Sequence, residues 1–204
     1  LLRYDNVMND QRKVIYEQRR EIMGTTDSSD LLKEMISDVL EELIDRTIPQ
    51  NTYVDQWNAA ELHGECLNLF NLDLPIEEWF KEEGIADREI MDRLEKAIQK
   101  VFEDKEAKYE GPLMRYAERS ILMRVLDQSW KDHLHALDHL RQGIGLRGYA
   151  QRDPLNEYKQ EAFNMFHDML SRVRYTVVSL LSHLEMSATP DQEELENPFE
   201  DMES

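Results

Sequence analysis

Between Leu122 and Leu184 the apolar residues fall into two long stripes, and no other feature limits the fold so tightly. Leu122, Leu126, Trp130, Leu134 and Leu137 step by three or four residues and lead to Arg141. A second stripe runs through Leu155, Tyr158, Ala162, Phe166, Met169/Leu170, Val173, Val177, Leu180/Leu181 and Leu184. This spacing puts each set on one face of an α-helix. Counted from Leu113, the first helix has about 30 residues, a length of roughly 45 Å, and Gly143 is expected to stop it. Asp153 is placed to cap the second helix, with Pro154 at its first position. Two amphipathic helices joined by about ten residues pack antiparallel, stripe on stripe. Residues 112–186 therefore read as a helical hairpin whose tip is 141–153.

The rest of the chain is helical by the same criterion. Residues 3–23 carry Tyr4, Val7/Met8, Val14/Ile15 and Ile22 at helix spacing, with Gln11 and Gln18 interrupting the stripe. "GTTDSS" (24–29) breaks the pattern, with Ser29 or Asp30 as the next cap. A strong amphipathic stretch follows over 30–47 and ends before Pro49. A short helix is expected near 59–70, another from Pro75 to Phe80, and a longer one capped by Asp87 and running to about Tyr109. "EGP" (110–112) marks a hinge. With 7 glycines and 6 prolines in 204 residues, and no alternating strand pattern, the fold class is all-α.

Charge narrows the function classes. The chain carries a formal net charge of −19. Residues 49–111 and the tail 187–204 are strongly acidic, whereas 112–186 is nearly neutral. An acidic chain repels nucleic acid phosphates unless it has a basic face, so no nucleic acid partner is expected. The tail, "SATPDQEELENPFEDMES", has the composition of a disordered linker. No apolar run is long enough to span a membrane, and the opening "LLRYDNVMNDQRK" lacks the apolar core of a signal peptide. The one cysteine, Cys66, has no internal disulfide partner and lies in an apolar-periodic segment, which suggests a buried thiol in a reducing compartment.

The hairpin tip, "LRQGIGLRGYAQRDP" (140–154), concentrates what positive charge stands alone: Arg141, Arg147 and Arg152 are its only charges before Asp153. Gly143, Gly145 and Gly148 spell G-x-G-x-x-G, but a dinucleotide site needs a strand before that string and a helix directly after it. Here a helix precedes it, so the glycines read as a helix stop and a tight reversal. Ile144, Leu146 and Tyr149 are then apolar and aromatic groups on a protruding tip, which points to contact with a partner or with a neighbouring domain. His133, His135 and His139 lie near Asp132 and Asp138. His135 and His139 have metal-compatible i,i+4 spacing, but without a third ligand the solvated or interfacial helix face is the simpler reading, and no metal is assigned. No catalytic constellation and no Walker-type phosphate loop is present.

Two long stretches carry a resemblance. "YDNVMNDQRKVIYEQRREI" (4–22) and "SWKDHLHALDHLRQGIGLRGYAQRDPLNEYKQEAFNMF" (129–166) closely resemble the C-terminal third of SecA, the family of bacterial motor ATPases for preprotein translocation; "LDLPIEEW" (72–79) matches between them. The likeness runs from residue 1 to about 186. It implies a helical scaffold domain in two parts, 1–48 and 112–186, a helical wing domain at 49–111, and the start of an acidic linker at 187–204. Within the second scaffold part, 141–153 would be the tip of the family's two-helix finger.

The resemblance also implies a function. The finger would enter the cytoplasmic mouth of the SecY channel, with Tyr149 touching the moving unfolded preprotein. Ile144, Leu146, Arg141, Arg147 and Arg152 would line that contact or meet acidic phospholipids. Asp5, Asn9 and Arg12 match a motif that looks like a contact to the motor's nucleotide-binding domains, which lie on the same polypeptide in the family. ATP and magnesium would belong to those domains and zinc to a cysteine-rich tail; none of these matches the 204 residues, so no cofactor is expected here. The implied location is the cytoplasmic face of the inner membrane. Family members often carry a bulkier residue at position 143 or 145, and glycine at both implies a more mobile tip. A free-standing helical adaptor is the alternative reading.

Overall fold

The computed structural model describes residues 2–25, 27–147 and 153–186. Among them are seven α-helices, one 3₁₀ turn and no strand: α1 (Leu2–Gly24), α2 (Ser29–Thr47), the 3₁₀ turn Val54–Gln56, α3 (Ala59–Phe70), α4 (Ile76–Trp79), α5 (Asp87–Tyr109), α6 (Gly111–Arg147) and α7 (Pro154–Ser182). The all-α expectation holds.

The hairpin forms as its stripes require. At 37 and 29 residues, α6 and α7 are roughly 55 and 44 Å long. The Asp153 carboxylate accepts from the Leu155 amide at 3.1 Å and Pro154 opens the helix, as the sequence suggests. The helix stop at Gly143 is corrected: α6 runs on to Arg147. Gly143 and Gly145 within the helix together cost about 2 kcal/mol, and seating Ile144, which is only 2 % exposed, offsets that with about 2 kcal/mol. Burial of this side chain lets the helix continue past Gly143.

The other helix ends differ in detail from the expected caps. Ser28, not Ser29 or Asp30, occupies the N-cap position of α2. Its hydroxyl makes no cap bond; Asp27 Oδ1 accepts from the Ser29 amide at 2.9 Å instead. Ala86 holds the N-cap position of α5, so Asp87 is the first helical residue. The hinge at 110–112 is a single residue: Glu110, at φ +59°, alone separates α5 from α6. Pro49 follows α2, and Asn71, left-handed at φ 56°, closes α3.

The core has three parts. In the first, Leu62, Cys66, Leu69 and Phe70 of α3 meet Ile90, Leu94 and Ile98 of α5, and Val39, Leu40 and Leu43 of α2 together with Val178 of α7 complete it. Residues 49–111 thus own only part of their own interior. In the second, Ile15 and Ile22 of α1 and Leu32 of α2 pack on Leu122, Leu126 and Trp130 of α6 and on Met169, Val173, Val177 and Leu181 of α7. The third lies toward the tip: Leu137 and Ile144 of α6 with Tyr158 and Ala162 of α7, flanked by Tyr4, Val7 and Met8 of α1. Helix α2 enters both of the first two clusters and so ties α3 and α5 to the hairpin.

Candidate functional site

The hairpin's working feature is its seam with α1. Tyr4, Met8, Gln11, Ile15, Gln18 and Ile22 alternate steps of four and three, a heptad-like stripe facing the hairpin. The buried positions of α6 follow a matching course: Met114, Glu118, Leu122, Leu126, Trp130, His133, Leu137 and Ile144. His133, not Leu134, is the residue turned fully inward, since Leu134 is only half-buried.

Polar ties set the register of this seam. Arg19 pairs with Asp127, Gln11 with His133 at 2.7 Å, and Asp5 with Arg141 at 3.1 Å. The numbers rise on α1 as they fall on α6, so the helices run antiparallel. Gln11 is the central pin. Its Nε2 donates to the Ala162 carbonyl of α7 at 3.0 Å, which leaves its Oε1 to accept from His133 Nε2. One side chain therefore joins three helices. It also defines the His133 tautomer: Nε2 carries the proton. Burial, reinforced by the Arg172 charge, pushes His133 down to about 4, so the ring is neutral at physiological pH. Sliding α1 by one turn would face Gln11 with apolar side chains and break all three ties.

A second polar knot fastens the joint between α1 and α2. Ser28, fully buried, donates to Glu118 at 2.6 Å. Arg115 pairs with Glu118 at 3.0 Å and also reaches Glu106 and Asp27. Burial pushes the Glu118 carboxyl up, while the Ser28 hydroxyl and Arg115 pull it back.

The expected site residues fall into three groups. Ile144 is corrected from an exposed contact to a buried one. Gly143 and Gly145 lie inside α6, where backbone amides are spent on helical hydrogen bonds, so they form neither a reversal nor a phosphate cradle. Arg141 is half-buried and paired with Asp5, and Asn9 is exposed on α1. Arg12 packs along its own helix, with its guanidinium 3.9 Å from Met8 Sδ. Leu146 and Arg147 belong to the last turn of α6 by their backbone. Gly148, Tyr149, Arg152 and the linker 187–204 lie outside the described residues.

The residues that sequence reasoning missed are Gln11, His133, Ser28 and Glu118. The signal was present: Gln11 breaks an apolar stripe, and Glu118 and His133 stand in step with Leu122 and Trp130. His135 and His139 are exposed on α6, and among the described residues no three His, Cys, Asp or Glu side chains gather in a metal-binding group. No helix of the described residues is long and apolar enough to cross a membrane.

Seven α-helices among the described residues, with the long α6–α7 pair packed along α1, define an all-α protein built on a helical hairpin. The family described as "SecA Wing and Scaffold domain" matches residues 1–185, and the chain belongs to it. Among curated proteins it is 50% identical over 190 residues to "Protein translocase subunit SecA" of Bartonella bacilliformis, covering 93% of this chain and 21% of that protein. The protein of the same name from Acidiphilium cryptum is 46% identical over 190 residues, with 93% and 21% covered. That from Bartonella tribocorum is 45% identical over 192 residues, with 94% and 21% covered. The chain spans about a fifth of the length of these relatives.

Proposed function

We propose that this chain serves protein translocation as the lever and contact module of a SecA-type motor, carrying movement from α1 to the tip of the α6–α7 hairpin. The observation that carries this is the pinned seam: Gln11 holds both hairpin helices against α1, so a displacement of α1 moves the hairpin with it. The partners in this reading are the SecY channel complex, the unfolded preprotein, acidic phospholipids and the motor's own nucleotide-binding domains. Asp5, Asn9 and Arg12 would meet those domains at the α1 end. Asp5 is already tied to Arg141, which links that end to the finger directly.

At the tip, Tyr149 would touch the preprotein, with Leu146, Arg147 and Arg152 against the channel mouth or lipid head groups. A tyrosine suits a sequence-blind contact, since its ring offers apolar area and its hydroxyl can bond to backbone. ATP and magnesium would act in the nucleotide-binding domains. The amides of Gly143 and Gly145 are spent within α6, so no step of ATP chemistry is assigned to these two residues. The work would be done at the cytoplasmic face of the inner membrane.

The test is crosslinking from position 149, in the complete motor carrying this segment, to a preprotein stalled in the channel. Adducts that require ATP and vanish when the probe is moved to exposed Tyr53 of the wing are expected. Equal crosslinking from both positions, or none from 149, would overturn the reading.

A further inference from the structure

Ile144 stands between two glycines in the last turn of α6. A methyl group added at Gly143 or Gly145 would meet no atom within 4 Å, and neither residue has a positive φ. Neither close packing nor backbone conformation therefore calls for glycine in this state. Each glycine weakens a helix about fourfold relative to alanine. The turn is held instead by the Ile144 side chain, seated among Leu137, Tyr158 and Ala162. Leu140 of α6 and Met165 of α7 flank this cluster, and α1 adds a further wall through Tyr4, Val7 and Met8. Tyr4 is fixed there by an edge-to-face contact with Tyr158, at 4.9 Å between ring centroids.

We propose that Ile144 is a latch, a positioning residue that keeps the last turn of α6 wound only while α1 lies against the hairpin. When the Tyr4–Met8 end of α1 peels back while Gln11 still pins the rest of the helix, the socket loses that wall and the two glycines let residues 144–147 unwind. Helix advances about 1.5 Å per residue and extended chain about 3.4 Å, so unwinding four residues adds roughly 8 Å of reach to whatever follows. The position of α1 thereby sets the length of the hairpin tip. The latch belongs to the chain's own helices and holds whether or not the tip touches a preprotein.

Hydrogen exchange at the amides of 144–147 in the 204-residue chain tests this. Met8→Ala, on the opposite side of the socket, is expected to speed exchange there at least about threefold, with the amides of 122–130 unchanged. Ile144→Ala should do the same, and the double variant should go no faster than Ile144→Ala alone, because both changes loosen one packed cluster. Gly143→Ala/Gly145→Ala should slow exchange about fifteenfold and blunt the response to Met8→Ala. Unchanged exchange in Met8→Ala, or effects that multiply as if independent, would overturn the latch. If Met8→Ala loosens α1 as a whole, Ile144→Val decides, since it trims the plug without touching α1: faster exchange at 144–147 supports the latch and no change refutes it.

Discussion

Gln11 and His133 lie 122 positions apart in the chain, yet their side chains meet at 2.7 Å inside the seam between α1 and α6. The contact has a defined polarity, because Gln11 spends its amide nitrogen on the Ala162 carbonyl. His133 must donate, and it can do so only as the neutral Nε2–H tautomer or as the cation. Burial excludes the cation until the solution is acidic. Position, tautomer and charge state of one residue thus follow from where its partner's other bond goes.

Gln11→Ala should lower stability by about 2 kcal/mol in urea unfolding, because it strands a buried N–H and leaves a small cavity. Replacing both partners, as Gln11→Leu/His133→Leu, should recover most of that loss. A double variant no more stable than Gln11→Ala would show that the bond itself matters little.

The pH dependence follows from the depressed His133 value. The folded chain protonates this residue near 4, whereas the unfolded chain does so near the ordinary 6.5. As pH falls below 6.5 the unfolded state takes up the proton first, so stability drops until about pH 4 and then levels; above 6.5 the residue contributes no slope. Between pH 7 and 4.5 the chain should lose roughly 2–3 kcal/mol more than His133→Gln, which keeps a donor but cannot titrate. Parallel stability–pH curves for the two proteins would contradict this.

Ser28 is buried at a helix start without capping it, and its hydroxyl serves Glu118 across 90 positions. Ser28→Ala should cost about 1–3 kcal/mol by leaving a buried carboxylate short of a donor. Ser28→Ala/Glu118→Leu should cost less than the sum of its single changes, as expected for one shared interaction. Strict additivity in thermal or urea unfolding would rule the pairing out as an energetic unit.

Cys66 of α3 is fully buried in the first core cluster, and burial, with Glu65 adjacent, pushes its thiol up to about 12. In the folded chain at pH 7.5, maleimide labelling should be at least about tenfold slower than in urea. A cysteine introduced at position 149 could then be labelled without replacing Cys66. Rapid native labelling of Cys66 would show that this cluster opens readily.

Local chemistry made the helices legible. The step of three and four residues announced α2, α6 and α7, Asp153–Pro154 marked where the return helix begins, and scarce glycine and proline excluded a hairpin-rich β fold. Each of these signals operates over a few residues, so no distant partner is needed to read it. The tip shows where that kind of reading stops. Gly143 looked like a terminator because glycine is a poor helix former, but Ile144 found a socket built from two other helices and the helix continued.

The sequence by itself therefore determined an all-helical chain with a long amphipathic hairpin, since backbone periodicity and capping are local properties. Only the tertiary structure decided that Gln11, His133, Ser28 and Glu118 go inside and that Ile144 does too. A polar side chain is buried without loss only where a complementary group arrives from far along the chain, and that meeting is set by how helices pack.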